Sequence, residues 1–196
     1  APTQIAFTVK VRGKASHAGF APQDGVHAIR IAATAIAEMA IGRIGDDTTV
    51  NVGHIEGGRA SNIVPDYCEV SGELRSFSHK KALEELAKVE QIFAKEAEKC
   101  GGSIEFIRDI CYQAYKTDEN ESVVKEFQKA CAACGIKSSL IATFGGSDQN
   151  KMSEHGIPGI VMASAMHQVH SCQEYTEVSE MAQVAGIVSE LLQMKE

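Results

Sequence analysis

The sequence predicts an α+β chain in which a helix-covered antiparallel sheet comes first and a partial α/β segment follows. Three patterns predict it. Four short stretches alternate apolar and polar residues, two longer stretches among them repeat apolar residues at helical spacing, and past Tyr115 helices alternate with short apolar runs.

Taken in order, Ile5, Phe7, Val9 and Val11 alternate with Thr8, Lys10 and Arg12, the period of a strand with one face buried. A loop holding Gly19, Pro22 and Gly25 leads to a helix on which Val26, Ile29, Ala33, Ile36 and Ala40 recur, with Asp24 as its cap. Its scarcity of charge implies that one side covers the sheet and another meets a further surface. Two strands follow, Thr49 to Glu56 and Asp66 to Arg75, separated by the Gly57-Gly58 turn region and a loop ending in Pro65. A second helix from His79 to Lys99 directs Leu83, Leu86, Val89, Phe93 and Ala97 inward and its Lys/Glu pairs outward, and it stops at Gly101-Gly102. A strand from Ile104 to Cys111 completes the order βαββαβ, the ferredoxin-like plan in which one face of the sheet carries both helices and the other is left to find a partner.

Residues 1–113 are assigned to this domain and 114–196 to a second one. After a polar linker, a helix built on Val123, Val124, Phe127, Ala130, Cys131 and Cys134 closes at Gly135. Then come a strand from Ser139 to Thr143, a short helix after Gly145-Gly146, a strand from Gly159 to Ala163, and a last helix carrying Met181, Val184, Val188, Leu191 and Leu192. Parallel strands are normally buried on both faces, and a pair of them leaves its edges unpaired. The expected sheet therefore needs strands that the chain does not contain.

Composition narrows the function. An apolar share of 44% over 196 residues supports one or two domains with a real core. A net charge of -7 without a basic tract argues against nucleic acid and anionic membrane as partners. No apolar run is long enough to span a bilayer and no signal peptide precedes the first strand, so the six cysteines are read as reduced thiols of a cytoplasmic protein. The opening Ala1-Pro2-Thr3, without an initiator methionine, suggests a processed or shortened chain.

Two clusters carry chemistry. Met166 to Glu174 contains His167, His170 and Glu174 directly after an expected buried strand, where parallel sheets present their sites; imidazoles three apart with a glutamate four further on supply part of a zinc site or are solvated loop residues. Gly145-Gly146-Ser147-Asp148 also follows a strand and opens a helix, so it either offers N–H groups and a hydroxyl to an oxyanion or is a glycine turn with a helix cap. Cys131 and Cys134 match CxxC spacing but lie inside an amphipathic helix, which makes them core packing. Lys10 to Lys14 lack the spaced glycines of a phosphate loop.

The stretch from Val11 to Pro22, with Gly25 and Ala28-Ile29 beyond it, resembles the opening of the lid domain in the dinuclear-zinc metallopeptidase family of peptidase T, aminoacylase and succinyl-diaminopimelate desuccinylase. Gly57 to Pro65 resembles that family's second lid motif and Gly72-Glu73-Leu74-Arg75-Ser76 its third. Gly145 to Asp148, then Gly156-Ile157-Pro158, then His170-Ser171 with Glu174 resemble its C-terminal motifs in the same order, so the likeness covers nearly the whole chain and is nearest to the peptidase T-like members.

The resemblance implies a homodimer through the lid, hydrolysis of peptide or N-acyl amide bonds, and two zinc ions per active site. It makes His170 a zinc ligand, His17 an oxyanion donor reaching into the partner's site, and Asn62 a second donor to that oxygen. Arg75 takes the substrate carboxylate, which a planar guanidinium grips at two oxygens. Gly146 and Ser147 line a bound peptide or acyl-amino acid. Singly, His17 reads as a loop cap, Asn62 as a turn residue and Arg75 as a strand-edge charge; their occurrence together in family order favours the site.

The family's HxD pair is absent, and its Glu-Glu pair has no counterpart beyond Glu84-Glu85 on the charged face of a helix. One histidine cannot hold two zinc ions, so the chain is expected to be inactive alone. Two alternatives stay open: a non-catalytic ferredoxin-like dimerisation module, and a mononuclear zinc protein using His167, His170 and Glu174.

Overall fold

The computed structural model describes residues 1–193, which divide into two compact units: 1–115 with 144–146, and 116–143 with 147 onward. Each is described by itself.

In the first unit β1 (Thr3–Arg12) leads to α1 (Ala28–Glu38), a short β2 (Gly42–Ile44), β3 (Thr48–Gly57), β4 (Tyr67–Ser76), α2 (His79–Lys99) and β5 (Ser103–Tyr112). The sheet is antiparallel in the order β2-β3-β4-β1-β5. Without β2 this is the ferredoxin-like arrangement, so the α+β expectation holds. The added β2 is three residues long and exposed, too short for any periodicity to mark it.

Alternation along β1 buries Ile5, Phe7, Val9 and Val11, and the register sets Ile5 beside Leu74, Val9 beside Val70 and Val11 beside Cys68 on one face. Phe7 lies opposite Gly72, where an added Cβ would stand 2.4 Å from the Phe7 ring and 2.3 Å from the Asn51 carbonyl oxygen. Only glycine leaves room for both. Against this face α1 buries Ala28, Ile31, Ala32 and Ala35, and α2 buries Ala82, Leu86, Val89, Phe93 and Ala97.

Two details depart from the sequence pattern. The buried stripe of α1 is turned away from Ala33 and Ala40, because a helix apolar almost all round does not fix its own phase; on α2, Ala82 is buried and Leu83 is exposed. Asp24 does not cap α1. It ends a 3-10 turn (Pro22–Asp24), Val26 then pairs with Lys14, and the helix starts two residues later with the His27 ring accepting the Arg30 N–H. By contrast α2 follows the rules closely. The Ser78 hydroxyl accepts the Lys81 N–H, and the Gly101 and Gly102 N–H groups close on Glu98 and Ala97 as a Schellman ending with Gly101 at φ +73°.

In the second unit α3 (Ser122–Ala133) packs on α5 (Val178–Gln193) through Ala130, Cys131 and Ile187. α3 closes in the same way as α2: Gly135 takes φ +69° and Ile136, whose N–H bonds the Cys131 carbonyl, packs into the same cluster. α4 (Asp148–Glu154) and a hairpin of β6 (Met166–His167) and β7 (Tyr175–Thr176) complete it. The strands expected at Ser139–Thr143 and Gly159–Ala163 are not formed; these segments have no ladder partner among the described residues. Ile141 and Val161 stay outside, 82% and 57% exposed, while Met162 packs against the α3–α5 cluster.

Candidate functional site

The chain beyond β1 is laced to the loop before β4. Val64 N–H bonds the Ser16 carbonyl at 2.9 Å, Ala18 N–H bonds the Asn62 carbonyl at 2.9 Å, and His17 faces Ile63 in an antiparallel bridge. Two motifs some forty-five residues apart are thereby set side by side, with His17 and Asn62 both exposed. The His17 ring lies on Phe20 with centroids 4.3 Å apart, and its Nδ1 accepts the Gly19 and Phe20 N–H groups at 3.1 and 3.2 Å. A ring nitrogen that accepts carries no proton, so in this geometry the donor left to the ring is Nε2–H. His17 thus offers one N–H donor away from its own loop.

Arg75 lies on the opposite sheet face from the helices, half-buried, beside Gln4 on β1 and Thr49 on β3. Its Nε and Nη2 donate to the two oxygens of Glu73 at 2.9 and 3.1 Å, and its Nη1 donates to the Phe144 carbonyl at 2.8 Å. The Glu73 carboxylate holds the guanidinium above its ordinary pKa, against the opposing effect of partial burial. Gln4 Nε2 also donates to Glu73, at 2.7 Å, and the Tyr112 hydroxyl donates to Gln4 Oε1.

Phe144 to Gly146 lies on this face as a strap. The Phe144 ring sits 4.4 Å from that of Phe77, with the Arg43 guanidinium 4.5 Å from its centroid. Gly146 rests against Tyr112; a Cβ there would fall 1.7 Å from the phenol oxygen. Arg75 and Gly146, both expected at the substrate, therefore meet one hydrogen-bonded chain running Arg75, Glu73, Gln4, Tyr112. Gln4, Tyr112 and Phe144 are not marked by the sequence, and Glu73 is marked only as part of the third lid motif, with no role of its own. Only Glu73 carried a signal, being two residues from Arg75 and so on the same strand face.

In the second unit Ser147 is the N-cap of α4, and the buried Asn150 accepts its N–H at 3.1 Å, which is the capping alternative for this glycine-rich cluster. His170 is exposed, in the loop joining β6 to β7, with φ +63°. That left-handed backbone is uncommon for a residue with a side chain and is kept only where surroundings over-determine it. Its N–H bonds Glu174 Oε2 at 2.8 Å, while His167 Nε2 lies 2.6 Å from Glu180 Oε2. Of the mononuclear alternative, His167 is thus held by Glu180 and Glu174 by the His170 backbone, and no three His, Cys, Asp or Glu among the described residues are grouped to hold a metal. Cys131 is buried in the α3–α5 core, as expected of packing, and burial pushes its thiol pKa up.

A cleft of about 280 Å³ opens in the first unit beside Glu56, Arg59, Asp66, Tyr67 and Glu69. Arg59 pairs with Asp66 at 3.3 Å and the Tyr67 hydroxyl donates to Glu69 at 2.6 Å, and the cleft contains none of the expected site residues.

The βαββαβ sheet with its two helices is the fold of a peptidase dimerisation domain. Residues 3–100, half of the chain, match the M20 peptidase dimerisation domain, and the chain belongs to the M20 peptidase family. It is 35% identical over 193 residues to the uncharacterised protein YqjE of Bacillus subtilis, covering 98% of this chain and 52% of that protein. Among solved structures it resembles the aminopeptidase PepT of Bacillus cereus, at 37% identity and TM-score 0.83, over 98% of this chain and 52% of that one. It also resembles a tripeptidase of Staphylococcus aureus, at 32% identity and TM-score 0.91, over 98% and 51%. The chain spans about half the length of these relatives. No helix among the described residues is long and apolar enough to cross a membrane.

Proposed function

We propose that the chain comprises the lid, residues 1–113, and the C-terminal part of the catalytic domain, residues 114–196, of a cytoplasmic, homodimeric, zinc-dependent hydrolase. Its substrates are di- or tripeptides, with N-acyl amides as the other candidates for the scissile bond. The observation that carries this reading is the pairing of the His17 and Asn62 segments, with His17 Nδ1 tied back so that Nε2–H points outward.

In this reading His17 donates from one subunit to the oxyanion forming in the partner's site, and Asn62 donates to the same oxygen. Such a donor is worth on the order of 3 kcal/mol of barrier when it is preset and water is excluded. Arg75 takes the substrate carboxylate, and Gly146 and Ser147 line the peptide. His170, exposed in a strained and braced loop, fits a zinc-ligand role and supplies one nitrogen. Bound zinc supplies an activated water at neutral pH. The remaining ligands and the general base come from polypeptide outside these residues, so this chain by itself does not hydrolyse peptides. The apolar exposure of the second unit supports that view, with Ile141, Val178 and Leu192 each more than 80% exposed.

The test mixes a full-length His17→Ala variant with a full-length His170→Ala variant. Each homodimer retains about 1% of activity or less, and exchange at equal amounts restores about a quarter of wild-type activity, since half the dimers are mixed and each holds one intact site. No recovery after demonstrated subunit exchange removes the cross-subunit role.

A further inference from the structure

We propose that His167, clamped between Tyr175 and Glu180, is a positioning residue that holds loop 168–174 in the shape that presents His170. The inference rests on the reading of His170 as a zinc ligand and assigns a task to a histidine which that reading leaves without one.

The loop is closed at its base by only two residue pairs, Met166 with Thr176 and His167 with Tyr175. A two-stranded ladder of that length is not stable by itself. The loop also carries two backbone conformations that resist relaxation, with φ +50° at Gln168 and +63° at His170. Inside, it is braced by Ser171, whose N–H and hydroxyl both bond the Gln168 carbonyl, at 3.2 and 2.7 Å. Further along, the Gln173 N–H bonds Ser171 Oγ, the Glu174 N–H bonds the Ser171 carbonyl, and the His170 N–H bonds Glu174 Oε2. These bonds are all exposed to water and exchange easily with it, so they describe the loop's shape without securing it.

What secures the base is His167. Its ring lies nearly parallel to that of Tyr175, with centroids 4.8 Å apart and planes 16° from each other, and its Nε2 meets Glu180 Oε2 at 2.6 Å. Glu180 is in the first turn of α5, where the N–H ends of the helix favour its negative charge. α5 is itself anchored by Ile187 in the α3–α5 core. One imidazole thus joins both strands of the hairpin to a packed helix, three residues before the proposed ligand. Metal affinity depends on how well a ligand is oriented before the metal arrives, and outer groups that orient a ligand typically matter by about tenfold or more.

The experiment measures zinc affinity by chelator competition in the full-length enzyme for His167→Ala, Glu180→Ala and Glu180→Gln, with His170→Ala as reference. Amide exchange is followed in the same proteins without metal. His167→Ala and Glu180→Ala are expected to weaken zinc binding about tenfold, and Glu180→Gln, which keeps an acceptor, to recover most of it. The amides of His170, Ser171 and Glu174 should exchange faster while that of Ile187 does not change. Zinc affinity within about twofold of wild type in both alanine variants overturns the proposal, as does faster exchange throughout the α3–α5 core. If His170→Ala itself leaves zinc binding untouched, it is the ligand assignment that fails, a separate result.

Discussion

Arg75 grips Glu73, its neighbour two residues back on β4, through both oxygens of the carboxylate. In the proposed function a substrate carboxylate arrives at this guanidinium, so an internal carboxylate already occupies one edge of the fork. The pair is about one-third exposed, which limits its own contribution to folding stability to a fraction of what a buried pair supplies. Its consequence is orientation: with Nε and Nη2 fixed on Glu73 and Nη1 on the Phe144 carbonyl, the plane of the guanidinium cannot swing.

Replacing Arg75 by Lys tests that geometry. A point charge cannot hold Glu73 at two oxygens and a third acceptor at once, so in the full-length enzyme KM for substrates with a free carboxylate should rise about tenfold or more. kcat should fall less, because the carboxylate is bound alike before and during the reaction. An equal loss for a substrate whose carboxylate is amidated would sink the assignment.

The tautomer of His17 is open to direct measurement. Nδ1 accepts two backbone N–H groups, so nitrogen chemical shifts at a pH where the ring is neutral should report a proton on Nε2. A proton found on Nδ1 would remove the outward donor on which the oxyanion role depends. His17→Ala should lower kcat by about two to three orders of magnitude, as loss of an oxyanion donor does. Stability should change little, since the ring is exposed and rests on Phe20, itself exposed.

Much of the first unit was legible because its residues face two clearly different environments. Ile5 to Val11 alternate strictly since one side of β1 meets helices and the other carries Gln4, Thr8 and Lys10, and α2 announces both its ends through Ser78 and Gly101. α1 was less readable: with hardly a charge on it, neither its phase nor its start was fixed locally, and His27 rather than Asp24 took the cap because Val26 was already bridged to Lys14. The segments at Ser139 and Gly159 carry strand-like apolar runs, but a strand exists only with a partner, and sequence records the tendency without the partner. At the candidate site, motif order marked His17, Asn62 and Arg75. Long-range partners such as Tyr112 and Phe144 had no periodic or spacing signal to mark them.

Gly72 is a position where packing dictates the residue. Gly72→Ala places a methyl between the Phe7 ring and the Asn51 carbonyl oxygen, and should destabilise the first unit by about 1–3 kcal/mol in urea titration. Combining it with Phe7→Leu should recover only part of the loss, because the carbonyl still stands 2.3 Å from the new Cβ. Unchanged stability in the single variant would mean that β3 and β4 separate locally at little cost.

Asp47 and Lys81 form an ion pair across the sheet end, and its pH dependence follows from opposite shifts. The Lys81 hydrogen bond, the largest cause, holds the Asp47 carboxyl below its ordinary value, and the Asp47 hydrogen bond raises the Lys81 ammonium above its own. A lowered carboxyl contributes stability above its unfolded value, and that contribution fades as acid protonates the folded group. A raised ammonium contributes below its unfolded value, and that contribution fades as base removes the proton from the folded group. The pair therefore favours folding across the neutral range and at neither extreme. Asp47→Asn should lower the urea midpoint slightly at neutral pH, as expected of an exposed pair, and the difference from wild type should shrink as pH falls below the ordinary carboxylate range. A difference that stays constant into strong acid would assign the effect to the neighbouring hydrogen bond from Thr48 rather than to charge.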